Sequence, residues 1–350
     1  MGVVQTVLPF KLAAAAETLT AQGGLALFGE YLQAMGVCGL IDHELPRPGS
    51  AVGYRPSAHV LPLILMLAGG GRTLEDLRVL RKDEGLRTLL DIAAMPSSDA
   101  TGDWLRRVGA GANGLAGLAR VHRGVFRRLL RRDERADYTL DIDATQIVAE
   151  KREAQTTYKG ERGYMPMVGH IAELGVVAGY EFRAGNATPA ARNLEFLQAC
   201  ARNLPKGKKI TMVRADSAAY QATIAGIPER EWKKFRDGEI AETVHCMNKT
   251  DQAFRLIVMR SSQEPDLFEN TQPYRYHAIA SNRADEDAAA TMAWYCQRGD
   301  ASENRFKELK IGFGMEHMPC GTLSANAVFF AIGVLTYNLY CGFRSLALGT

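Results

Sequence analysis

The hydrophobic pattern changes period near residue 136, and that change limits the fold more than any other feature. Upstream, apolar residues recur at i, i+3 and i+4 in 25-LALFGEYLQAMGV-37, 57-SAHVLPLILMLAGG-70 and 73-TLEDLRVLRKDEGLRTLLDIA-93. That spacing predicts amphipathic helices, punctuated by Pro46, Pro48, Pro56 and Gly69-Gly70-Gly71. Ser97 reads as the N-cap of a further helix. Downstream the period is two. In 138-YTLDIDATQIVAEK-151, Tyr138, Leu140 and Ile142 alternate with Thr139, Asp141 and Asp143, so the odd-numbered side chains share one strand face. Taken alone, this stretch reads first as a surface strand with a solvated polar face, and second as a strand carrying carboxylates to a site.

More strands follow. The stretches 165-MPMVGHIAEL-174 and 175-GVVAGYEFR-183 read as a meander, 190-AARNLEFLQACARNL-204 as a helix, and 210-ITMVRAD-216 as a strand ending on an aspartate. A second β-rich patch runs through 239-EIAETVHCM-247, 253-AFRLIVMR-260 and 274-YRYHAIAS-281, with helices at about 285–309 and 322–346. Helices followed by this alternation predict an α/β layer fold with a mixed sheet behind a helical N-terminal region.

Bulk properties exclude several classes. The 350 residues suffice for a large core, and the net charge of +3 does not choose a partner. Its distribution is more informative. The segment 120-RVHRGVFRRLLRRDER-135 carries seven arginines, a phosphate footprint or equally a solvated outer helix face. The six cysteines are scattered with no CxxC pair, which argues against structural zinc and a disulfide framework and for a reducing, cytoplasmic location. The first residues do not read as a secretory signal. Segment 325–343 approaches membrane-span length but contains Asn326, Thr336 and Asn338, and reads as a buried core helix. No GxxxxGK[ST] loop or GxSxG elbow occurs. The turn 159-KGERGY-164 is basic and glycine-containing, suited to a DNA backbone or to a simple turn.

Three acids stand out by context: Asp143 and Asp216 at strand ends, and Glu303 in the charge-rich helix 295-YCQRGDASENRFKELK-310. Acids at adjacent strand ends can converge, since open α/β sheets bind ligands beyond their strand ends. Three clustered carboxylates repel unless a hard divalent cation holds them. Two such cations could activate an attacking oxygen and stabilise the leaving oxygen of a phosphodiester. Tyr295, Arg298, Arg305 and Lys310 flank Glu303 as phosphate contacts. Glu303 and Lys310, seven apart, share a helical face.

Together the blocks LDIDAT, YKGERGYMPMVGHIAE, VRADSAAYQA, YCQRGDASENRFKELK and ANAVFFAIGVLTYNL resemble the bacterial insertion-sequence DDE transposases. The resemblance covers nearly the whole chain, including GYRPSAHVLPLILMLAGGGRTLEDLRVLR and PSSDATGDWLRRV. It implies an RNase H-like catalytic core at residues 136–350 with a β-rich insertion at about 225–283. Residues 1–135 would form a helical N-terminal domain for DNA-end binding and oligomerisation. It implies Asp143, Asp216 and Glu303 as the catalytic and metal-binding acids, with Mg²⁺ or Mn²⁺, two ions, as cofactor. Tyr295, Arg298 and Lys310 are the implied signature residues. Arg305, Arg127, Arg128 and Arg131 are further candidate DNA contacts. The implied partners are double-stranded terminal inverted repeats and target DNA, with a homodimer in the synaptic complex and no membrane. The location would be cytoplasmic and nucleoid-associated.

Two departures from the family pattern bear on activity. Four residues, Gly299 to Ser302, separate Arg298 from Glu303 where the family has three. Glu303 still faces inward if its helix starts only near Ser302; Asp300 is the fallback acid. The segment after Asp216 is also short. A degenerate, catalytically inactive copy that only binds DNA is therefore the alternative.

Overall fold

A computed structural model describes residues 17–50, 52–188, 192–215, 227–246, 253–262 and 274–348, with the side-chain surroundings of all of these except residues 246, 299–303 and 348. The helical period upstream is realised in α1 (Gly23–Ala34), α2 (Val37–Glu44), α3 (Pro56–Ala68), α4 (Leu77–Lys82), α5 (Glu84–Leu89), α6 (Ser98–Ala110) and α7 (Ala112–Leu130). Ser97 caps α6 by accepting from Ala100 N at 3.1 Å. The stretch 73–93, expected as one helix, is broken into a 3₁₀ turn (Leu74–Asp76), α4 and α5. The break is chemical. Asp83 leaves helical geometry, and its carboxylate accepts from Leu86 N at 2.8 Å, so it starts a new helix.

The main sheet contains β1 (Asp137–Ala144), β5 (Met167–Ile171), β6 (Val177–Glu181) and β7 (Lys209–Ala215), in the order β6-β5-β1-β7. The meander β1-β5-β6 is antiparallel, and β7 joins β1 in parallel after α8 (Asn193–Asn203). A small sheet of β2 (Ile147–Val148), β3 (Gln155–Thr156) and β4 (Arg162–Tyr164) follows the end of β1. A separate antiparallel sheet holds β8 (Lys233–Phe235), β9 (Gly238–Cys246), β10 (Ala253–Ser262) and β11 (Tyr274–Ser281). The chain then enters α9 (Ala288–Lys307), a π-helical turn (Glu308–Gly312) and α10 (Leu323–Leu348).

One continuous core joins α1–α7, the main sheet and α10. Helix α10 packs against α3, α6 and α7. By length and hydropathy it could cross a membrane, but 89% of its apolar window is buried within the protein. Its polar residues are satisfied there. Asn338 accepts from Val177 N at 2.7 Å and donates to Val177 O at 2.9 Å, completing the edge of β6 as another strand would. Asn326 serves Cys320 N and O in the same way.

Strand β1 departs from the solvated-face reading. Thr139 and Asp141 are as buried as Leu140 and Ile142, because helices cover the odd-numbered face. His170, opposite Asp141 in the sheet, lies against the rings of Phe306 and Tyr337 from α9 and α10.

Candidate active site

The parallel pairing of β1 and β7 brings their C-terminal ends side by side, with Ile142 opposite Ala215. Asp143 follows Ile142. Asp216 follows Ala215 and lies outside the described residues. Helix α9 is fastened across both ends. The Tyr295 hydroxyl donates to the Ala215 carbonyl at 3.0 Å. The Arg298 Nη2 donates to the Ile142 carbonyl at 3.1 Å and sits 3.8 Å from Asp143 Oδ1. Each anchored carbonyl belongs to the residue just before an expected acid. The inner face of α9, through Met292 and Tyr295, also packs on Ile240, Ile257 and Ile279 of the second sheet.

Asp141 and Asp143 share a strand face but not an environment. Asp141 is wholly buried, and its two oxygens accept from Arg214 Nε at 2.6 Å and Nη2 at 2.8 Å. Arg214 Nη1 donates to the Trp294 carbonyl at 3.0 Å, and its guanidinium stacks 5.2 Å from the Trp294 ring centroid. Asp141 is thus half of a bidentate ion pair that ties β1, β7 and α9 together. Asp143 keeps 32% of its side chain exposed at the end of its strand. Arg298 is only 11% exposed, and its buried Nε has no hydrogen-bond partner among the described residues.

Lys310 Nζ donates to the Gln146 carbonyl at 2.8 Å, three residues past Asp143. Burial holds its pKa below the ordinary lysine value; the charge of Glu316 opposes this, that of Lys159 adds to it, and that of Asp143 opposes it. Lys310, Lys159 and Asp143 therefore share one electrostatic neighbourhood.

Other expected contacts lie elsewhere. Arg305 donates to the Ile171 carbonyl at 3.4 Å. Ile171 pairs with Leu140, three residues back along β1 from Asp143, roughly 10 Å away at strand rise. Arg127 donates to the Asn203 and Arg202 carbonyls, both at 3.0 Å, at the end of α8. Arg128 donates to the Met35 carbonyl at the end of α1. These two arginines cap helix C-termini, while Arg131 is exposed just beyond α7.

The start of α9 agrees with the helix expected at about 285–309 and excludes the late start near Ser302 that would let Glu303 face inward. Asp287 is the N-cap, accepting from Ala290 N at 2.9 Å, and the helix runs unbroken to Lys307. The extra residue before Glu303 is therefore not absorbed by a loop. Five helical residues turn about 500°, which leaves position 303 about 140° around the axis from Arg298, whereas position 302 lies about 40° away. The π turn then intervenes before Lys310, so the seven-residue spacing of Glu303 and Lys310 no longer implies a shared face.

Sequence reasoning missed Arg214 and Trp294. A signal existed: an arginine within the strand 210-ITMVRA-215 and an aspartate within 138-YTLDID-143 are complementary charges on neighbouring strands. Among the described residues no three His, Cys, Asp or Glu side chains form a metal-binding group. Asp216 and the surroundings of Glu303 fall outside that description.

Fold and site define a mixed α/β protein with an acid at a strand end beneath a cationic helix. The family model described as "Transposase DDE domain group 1" matches residues 8–238, and the chain belongs to this family of DDE transposases. The matched segment includes Asp143 and Asp216 and ends before Glu303. The family comprises transposition enzymes that typically use a divalent metal. No curated protein matches significantly. Among solved structures the chain is similar to a piggyBac transposase, described as a cryo-EM structure of its synaptic complex with hairpin DNA. The TM-score is 0.46 and the identity 10%, over 93% of this chain and 76% of that one.

Proposed function

We propose that the chain is a DNA transposase that binds the terminal inverted repeats of an insertion sequence, cleaves their ends and joins them to target DNA. The observation that carries this reading is the double anchoring of α9. Tyr295 and Arg298 hold the carbonyls that precede Asp216 and Asp143, so one helix fixes both acid-bearing strand ends. We read the main sheet as an RNase H-like core with β8–β11 as its insertion, and residues 1–135 as the DNA-end-binding and oligomerising part. The working form would be a homodimer on paired DNA ends.

Asp143, Asp216 and Glu303 would hold Mg²⁺ or Mn²⁺, two ions. The fit to Asp143 rests on its chemistry: a hard oxygen donor, partly exposed at a strand end, beside cations that tolerate a phosphate. When bound, the metal supplies Lewis-acid activation and charge neutralisation for phosphodiester chemistry. Arg298 would stabilise a phosphate oxygen beside Asp143 through its guanidinium, and Lys310 would add charge from a half-buried position where it is little screened.

The test is cleavage of a labelled duplex carrying the element's own ends, with Mg²⁺ or Mn²⁺. Asp143→Ala and Asp216→Ala should abolish nicking while end binding survives; nicking that persists in either variant refutes the assignment. A second reading, a copy that binds DNA without cutting it, is favoured by the unbroken helix through position 303. End binding without nicking under either metal would select it, and nicking lost in Glu303→Ala would exclude it.

A further inference from the structure

The hairpin tip 157–161, between β3 and β4, has no role in the reading above, yet it is built onto the acid-bearing segment. Thr157 is buried, and its hydroxyl accepts from Gln146 Nε2 at 2.8 Å and from Lys159 N at 3.3 Å. The Gln146 amide also donates to Glu161 at 3.1 Å. The tip closes on itself through Thr157 N to Glu161 O at 2.8 Å and Gly160 N to Thr157 O at 3.0 Å. Gln146 thus holds the tip with its side chain and Lys310 with its carbonyl, three residues past Asp143. The tip is as fixed relative to Asp143 as Lys310 is.

What this rigid base presents outward is chemically specific. Tyr158 is 65% exposed although it is a large aromatic. Lys159 is exposed beside it, its Nζ 5.7 Å from the Tyr158 ring centroid. Gly160 adopts φ +87°, and a Cβ there would meet nothing within 4 Å, so backbone can be approached closely from that side. Lys159 is also near enough to Lys310 to disfavour its charge.

We infer that the Tyr158–Lys159–Gly160 tip is a nucleotide-binding element that holds the unpaired DNA strand next to the reacting phosphate, with Lys159 on a backbone phosphate and Tyr158 stacked on a base. Phosphate contact with basic residues and stacking on exposed aromatics are the two devices by which proteins grip single strands. The exposed tyrosine favours a single strand, since a duplex keeps its base faces covered. This inference rests on the transposase reading and adds a strand-holding site to it.

The test is binding, not turnover. The full chain is titrated by fluorescence anisotropy against a labelled 15-nucleotide oligothymidylate and a labelled random duplex of 25 base pairs, across a salt series. Lys159→Gln should lower the slope of log K against log salt on the oligothymidylate by about 0.7, the loss of one single-strand phosphate contact. Tyr158→Leu should weaken oligothymidylate binding about tenfold and leave duplex binding unchanged. Lys206→Gln, exposed in the turn before β7 at the far end of the sheet, is the control and should change neither. Wild-type affinities in both tip variants would overturn the inference and leave the transposase reading standing. Failure of the wild-type chain to bind either DNA would overturn both.

Discussion

Replacing Arg214 by methionine should remove more stability than any surface change on this protein. Asp141 is 0% and Arg214 5% exposed, and the guanidinium makes three hydrogen bonds at 2.6, 2.8 and 3.0 Å. Removing one member of a buried pair leaves the other charge desolvated, at about 3–5 kcal/mol. Arg214→Met should fall at the upper end, because the Trp294 carbonyl also loses its donor. Asp141→Asn should fall at the lower end, because an amide oxygen still accepts from Arg214. The double variant Asp141→Leu/Arg214→Met removes both charges and should return to within about 2 kcal/mol of wild type. Urea unfolding followed by circular dichroism on wild type, Arg214→Met, Asp141→Leu and the double variant closes the cycle. A loss below about 1 kcal/mol in Arg214→Met, or a double variant no better than that single one, would refute the view that charge burial holds β1, β7 and α9 together.

Three further outcomes are expected. Burial pushes His59 and His122 down to about 4 and His170 down to about 3; below pH 6.5 the unfolded chain takes up three protons that the folded chain refuses. Stability should therefore fall as pH drops from 6.5 to 4, by up to about 4.1 kcal/mol per pH unit; unfolding midpoints that stay flat over that range would contradict the burial of the three rings. Arg127→Ala should destabilise by about 1–2 kcal/mol through its lost carbonyl contacts at α8, whereas Arg131→Ala should leave thermal unfolding unchanged; equal melting curves for the two would show that Arg127 caps nothing. Glu303→Ala combined with Ser302→Glu moves the acid back by one helical position, about 100°, and should nick DNA ends at least as fast as wild type; an inactive double variant would show that position 302 does not reach the site.

Much of the fold could be read from the chain because it is encoded at short range. The change of period near residue 136, the β1-β5-β6 meander, the strand ending at Ala215 and the apolar last helix are each visible within windows of a dozen residues. The candidate acids could be read as motif positions. The partners of the charged residues could not. Arg127 and Arg128 look like a basic stripe, yet they find helix-end carbonyls about 75 and 93 positions away. The split of 73–93 was missed because a single capping aspartate, Asp83, overrode an otherwise good helical period.

The sequence by itself determined which segments become strand or helix and which strands end on an acid, because periodicity and capping are local properties of the backbone. Only the tertiary structure decided what Asp141 and Asp143 each do. They are two residues apart on one face, and alternation makes them equivalent. Asp141 became a structural ion pair because parallel pairing with β7 delivers Arg214 to it out of water. Asp143 stayed partly open because it stands at the C-terminal end of its strand, where Arg298 approaches without closing over it. A carboxylate's role follows from its solvation and its neighbours, and both are set by contacts that lie far apart in the chain.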